Sequence, residues 1–168
     1  YGFFVARAGL GASESMRSKL AEYNDPRLSR AFITKQGTSG KEQAPGTADN
    51  AVYAPNGTPE QGTSQYGTSL FMYSISAPTL LLSYHELKFL EAEALCRLER
   101  DAKSALKDAV VAGLLNAENS FTISRKELGK TLINAASSIT EAEAESYFDN
   151  TIEAKYTAEP LKTTMTQK

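Results

Sequence analysis

The chain has no tryptophan, a single cysteine, a single histidine and no run of apolar residues approaching the roughly 20 that cross a bilayer as a helix. Each shortage removes a class of function. One thiol, Cys96, makes neither an intramolecular disulfide nor a four-cysteine metal site, and its position on an apolar helix face reads as buried and unreactive. The one histidine, His85, has no cysteine near it and no serine nucleophile motif to serve, so it reads as a surface or capping residue. Charges are balanced, 18 Lys and Arg against 20 Asp and Glu, with no basic cluster interleaved with aromatics, which argues against nucleic acid as a partner. Gly9-Leu10-Gly11 lacks the lysine and further glycines of a phosphate-binding loop. No cofactor or metal is expected: Asp49, Asn50 and Asn56 offer oxygen ligands, but their spacing matches no calcium loop.

What remains is a chain of 168 residues, 41% of them apolar, enough to fill the core of one domain. Its most regular stretch, Leu80 to Leu115, writes two amphipathic helices joined by a tight polar turn. Ser83 and Glu86 form an S-x-x-E capping box that starts the first helix near Tyr84. Leu87, Leu90, Ala94 and Leu98 recur at three- and four-residue spacing as its main apolar face, with Phe89, Ala92 and Cys96 as a second, smaller one. That helix is expected to pack on two sides. Asp101 is placed to cap the second helix, which carries Ala102, Ala105, Leu106, Ala109, Val110 and Leu114. The alanines let the two helices approach closely, as in a degenerate tetratricopeptide unit of about 34 residues.

Around this hairpin the signals are weaker. Ser13 to Tyr23 reads as a short helix capped by Ser13, with Met16 and Leu20 on one side, and Asn24-Asp25-Pro26 stops it because proline pushes its predecessor out of the helical region. Leu28 to Ile33 reads as an extended or irregular packing segment. From Thr34 to Ser69 the composition turns to Gly, Thr, Ser, Gln, Asn and Pro, predicting a long loop, with Phe71 to Ile75 as a returning strand. Ser124 with Glu127 announces a third helical region, and Thr140 with Glu143 opens another through Tyr147, Phe148 and Ile152. Pro160 suits the first turn of a last helix with Leu161 and Met165 as core contacts. The expected fold class is mainly α, with tetratricopeptide-like helical hairpins and a long irregular loop region. One domain spans 1–168: a short helix and extended segment over 1–33, the irregular region over 34–77 and the helical region over 78–168.

The acidic residues give no catalytic arrangement. Glu86 is committed to its cap, Glu91 and Glu93 are two apart and cannot share a helix face, and Glu141, Glu143, Glu145 and Asp149 form a run that suits the positive end of a helix dipole. Glycoside hydrolysis needs two carboxylates facing each other across a cleft, and no sequence feature supports such a pair, so the chain is not expected to be an enzyme. Sugar binding needs flat aromatic faces beside amide or hydroxyl groups. Tyr53, Asn56, Gln65, Tyr66 and Tyr73 supply both in or beside the long loop and are the candidate ligand-binding residues.

Three segments, in order, resemble the SusD/RagB family of surface lipoproteins. They are Asn24-Asp25-Pro26-Arg27-Leu28, then Pro78 to Leu98 with the pattern P-x-L-L-L-S-Y-x-E-L-x-F-L-x-A-E-A-L-x-R-L, and Glu159-Pro160-Leu161-Lys162 leading to Thr166-Gln167-Lys168. The resemblance implies a scaffold of tetratricopeptide-like pairs held on the cell surface, at the outer membrane, by an amino-terminal lipid. It implies a SusC-like TonB-dependent transporter as partner and a glycan, or in some cases a peptide, as ligand. The start at Tyr1 without methionine and the end at Lys168 in mid-pattern lead to the expectation of an internal fragment whose lipid anchor is missing from this chain. The second reading is a helical-repeat module that binds a protein or peptide, with the loop as a spacer.

Overall fold

Hydroxyl and carboxylate caps start the helices, and small side chains bring them together. The computed structural model describes residues 12–36, 41–45, 53–57, 68–70, 81–128 and 137–168. The chain divides into two compact units, one of Tyr1–Pro78 with Glu118–Ser138 and one of Thr79–Ala117 with Ile139–Lys168.

The second unit is helical. Helix α2, Tyr84–Arg97, begins at the predicted capping box: the Ser83 hydroxyl accepts from the Glu86 N–H at 3.2 Å and the Ser83 N–H donates to the Glu86 carboxylate at 2.8 Å. After α2 the backbone turns through Glu99, whose φ of +56° lies in the left-handed region. The Asp101 carboxylate accepts from the Lys103 N–H at 3.0 Å, as its sequence position predicts, and starts α3, Lys103–Leu128. Ala102, Ala105, Leu106, Ala109 and Leu114 of the hairpin's second arm are all buried. Thr140 accepts from the Glu143 N–H at 3.2 Å and opens α4, Glu141–Tyr147, which runs through a π-helical turn, Phe148–Ile152, into α5, Glu153–Ala158. Phe148 and Ile152 are fully buried. Pro160 then occupies the first turn of α6, Pro160–Gln167, where its missing N–H costs no intrahelical bond.

One side chain ties these helices together. The buried Tyr156 hydroxyl of α5 accepts from the Ala102 N–H at 2.8 Å and donates to the Asp101 carboxylate at 3.2 Å, closing the turn between α2 and α3. Burial pushes this phenol above its ordinary value. Helix α6 lies against α2, with Cys96 Sγ 3.6 Å from Thr164 Oγ1 and Lys168 paired to Glu93 at 2.8 Å.

The first unit mixes a helix with a small sheet. In α1, Glu14–Glu22, the Ser13 hydroxyl accepts from the Ser15 N–H at 3.2 Å, Leu20 is buried, and Asn24 at φ +49° ends the helical run. Strands β1 (Phe32–Gln36), β2 (Lys41–Pro45) and β3 (Thr68–Ser69) form an antiparallel sheet of order β2-β1-β3. Phe32 pairs with Ser69, Ile33 with Thr68 and Pro45, and Gln36 with Lys41, with an irregularity between Ile33 and Lys35. Pro45 lies on an edge strand, the place in a sheet where a residue without an N–H is tolerated. Leu70 is clamped from both sides: its N–H donates to Ala31 at 2.7 Å and its carbonyl accepts from the Ser124 hydroxyl at 2.9 Å.

The mainly helical class and the hairpin are as the sequence predicts, and four local expectations are corrected. Ser124 starts no helix; it lies inside α3, and its hydroxyl is spent on Leu70 instead of a cap. The stretch read as irregular carries β2, β3 and most of β1, because strand pairing uses backbone groups that a polar composition does not reveal. On α2 the smaller face is the buried one: Phe89 and Ala92 are inside, while Leu87, Leu90 and Leu98 are exposed. On α6 Thr163 and Thr164 are buried, and Leu161 and Met165 face outward. The expected strand at Phe71 to Ile75 lies outside the described residues.

Replacing Tyr156 by Phe keeps the ring and removes both hydroxyl bonds, leaving the buried Ala102 N–H without its acceptor. The expected cost is about 1–3 kcal/mol. Urea unfolding checks it, and an unchanged midpoint would remove the hydroxyl from the forces that hold the turn.

Candidate functional site

Of the five candidate ligand residues, Tyr53 and Asn56 fall within the described residues, and the first unit brings them to the start of α1. Residues 53–57 are held there by backbone bonds from Glu14 N–H to the Ala54 carbonyl at 3.0 Å and from Ala54 N–H to the Ala12 carbonyl at 2.7 Å. The Ser13 hydroxyl donates to the Asn56 amide oxygen at 3.1 Å, and the Asn56 amide N–H donates to the Ser15 hydroxyl. The Tyr53 ring is buried, edge-on to Phe32 with centroids 5.3 Å apart, and the Arg17 guanidinium stands 5.6 Å from its centre. Asn56 is exposed but its amide is used locally, so this pair clamps a loop onto a helix cap. Gln65, Tyr66 and Tyr73 lie outside the described residues.

A recess lies in the second unit, a cleft of about 320 Å³, near the lower end of the range for small-molecule sites. Tyr84, at the start of α2, stands on one side. Lys107, Asp108, Val111, Ala112 and Leu115 of α3 and Glu141 and Glu145 of α4 line the rest. The i,i+4 spacing of helices explains the grouping: Lys107, Val111 and Leu115 share one face of α3, and Glu141 and Glu145 are one turn apart on α4. The cations are already engaged. Lys107 donates to Asp149 at 2.7 Å and stands 5.7 Å from the centre of the Phe148 ring. The bond from Asp149, opposed by some desolvation, holds its ammonium above the ordinary value. Lys88 pairs with Glu91 at 2.9 Å and with Asp108 at 3.4 Å, and stands 5.8 Å from the centre of the Tyr84 ring. No local pattern in the sequence marks this recess, since its acidic run reads only as a complement to the helix dipole.

Polar groups along α2 serve structure. The Ser83 hydroxyl is 3.2 Å from His85 Nε2, a spacing that suggests a nucleophile and its base, but the same hydroxyl donates to Glu86 at 2.8 Å and serves the cap. Glu93 is paired with Arg97 and Lys168, each at 2.8 Å. Among the described residues no three His, Cys, Asp or Glu converge to hold a metal ion.

Residues 3–168 match the SusD-like family described as "Starch-binding associating with outer membrane". The chain belongs to that family. A crystal structure of a SusD/RagB family protein from Bacteroides thetaiotaomicron is 57% identical to it, with a TM-score of 0.90 over 98% of this chain. The match covers 35% of that protein, so the present chain spans about a third of this SusD-like relative's length. Among curated proteins none matches. The three segments that suggested the family thus belong to a likeness that runs nearly end to end.

The capping box supplies a pH test. Bonds from Ser83, the backbone N–H first, hold the Glu86 carboxyl below its ordinary value of 4.5. A carboxylate depressed in the folded state stabilises above its unfolded value, and that contribution disappears as the pH falls through the folded one. Circular dichroism is expected to show α2 losing helicity below about pH 4.5, with Glu86→Gln flattening that part of the curve. An identical acid limb in the variant would assign the pH dependence elsewhere.

Proposed function

We propose that this chain is part of a non-catalytic cell-surface protein that captures oligosaccharide for a SusC-like TonB-dependent transporter of the outer membrane. The observation that carries the reading is family membership across residues 3–168, because the family's description joins starch binding to the outer membrane. The described residues support a binding role through the cleft between α2, α3 and α4, and their serine–histidine contact belongs to a helix cap. Among them no helix is long and apolar enough to cross a membrane, so attachment is assigned to an amino-terminal lipid, as the family implies. The contact surface is assigned to the region from Thr34 to Tyr73, where Tyr66 and Tyr73 supply aromatic faces and Gln65 an amide.

Affinity gels and calorimetry against a panel of soluble polysaccharides, with a peptide mixture alongside, test this. A saccharide is expected to bind, and Tyr66→Ala is expected to weaken that binding about fivefold, the scale of one aromatic face, while leaving the unfolding temperature unchanged. Unchanged affinity would remove Tyr66 from the site. Binding of peptides alone would favour the helical-repeat reading over the glycan one.

A further inference from the structure

The cleft of the second unit carries chemistry that sugar capture does not use. Val111 and Leu115, four residues apart on α3, give it an aliphatic strip, and the Tyr84 ring of α2 stands beside that strip. Its charge is one-sided. Asp108, Glu141 and Glu145 bring three carboxylates to the wall against the single ammonium of Lys107. Lys107 is spent on Asp149, and Asp108 is paired with Lys88. Glu141 and Glu145 are exposed, and among the described residues neither enters an ion pair or a side-chain hydrogen bond.

The chain's own lysines show which guest this setting favours. Lys88, paired to Asp108, stands 5.8 Å from the centre of the Tyr84 ring, and Lys107 stands 5.7 Å from that of Phe148. Both ammonium groups are held above their ordinary value. For Lys107 the bond to Asp149 acts first, with the charges of Glu145 and Glu153 adding to it; for Lys88 the bond to Glu91 acts first, with Asp108 adding to it. A surplus of negative charge repels an anion and gives a neutral hydroxyl little. A cation on an apolar stem gains from the carboxylates, the aliphatic strip and the ring together.

We propose that the cleft binds an aliphatic ammonium ion, with its charged end at the Glu141 and Glu145 carboxylates, its methylene stem along Val111 and Leu115, and the Tyr84 ring against it. A free amine and a lysine side chain share this chemistry. The site is separate from the sugar-contact region, since no residue between Thr34 and Tyr73 takes part in it.

Ligand-observed saturation-transfer NMR on the full gene product that contains these residues tests the proposal with n-butylammonium, which is the lysine side chain without its backbone. Saturable binding is expected, at least about fivefold tighter than that of 1-butanol, which keeps the stem and lacks the charge. Glu141→Gln combined with Glu145→Gln is expected to weaken it about fivefold, with the unfolding temperature unchanged because both side chains are exposed. Tyr84→Leu, which keeps an apolar wall without the ring, is expected to weaken it about threefold. Nα-acetyl-lysine methylamide bound as tightly as n-butylammonium would assign the cleft to lysine side chains, and n-butylammonium bound alone would assign it to free amines. Failure of n-butylammonium to saturate, equal binding of 1-butanol, or an affinity unchanged in the double variant would overturn the proposal.

Discussion

The Tyr156 hydroxyl is the interaction on which the helical unit depends. It closes the turn between α2 and α3 from a distance of more than fifty residues, accepting from Ala102 and donating to Asp101. A turn between two helices leaves backbone N–H groups that must find acceptors, and here water is excluded because Ala102 is buried. Its small side chain lets α5 approach closely, and close approach is what removes the solvent. The hydroxyl resolves the conflict between tight packing and an unsatisfied N–H. Phe148 and Ile152 are fully buried on the π-helical turn that leads into α5, with Lys107 of α3 over the Phe148 ring and against Asp149 at the margin.

How much of the fold could be read from the sequence follows from how local each signal is. Ser13, Ser83 and Thr140 mark helix starts because their partners lie within three residues, and Pro160 because its missing N–H costs nothing in a first turn. Ser124 with Glu127 shows the same spelling in the middle of α3. There the hydroxyl donates to Leu70, a group 54 residues away that no local pattern contains. The two apolar stripes of α2 were both visible, but which is inside depends on α6, where Thr164 lies against Cys96 and leaves the larger leucines outside. The sheet is illegible in the sequence for a different reason: its strands are short, and its register is written in backbone bonds rather than in alternating side chains.

The site residues divide along the same line. Tyr53 and Asn56 have the chemistry of a sugar site, and the fold does bring them together, yet their partners, Phe32 with Arg17 and Ser13 with Ser15, turn much of that chemistry inward. The α2–α4 cleft has no sequence signature because Tyr84 and Glu141 are distant in sequence and have no shared pattern. Its acidic lining was explicable as a helix start, and a residue with one adequate local explanation gives no reason to look for another.

The π-helical turn at Phe148–Ile152 constrains how this chain can vary. A π turn holds one more residue than an α turn, so a chain one residue shorter between Tyr147 and Glu153 would wind as an unbroken α-helix, rotating all that follows by about 100°. Tyr156 would swing away from Asp101, and α6 would leave α2. Yet Asp149 and Asn150 are exposed on that same turn. In a lineage Asn150 should therefore accept other polar residues and Asp149 those that keep its bond to Lys107, while the length of the segment stays constant, so insertions and deletions, more than substitutions, would report the selection acting here.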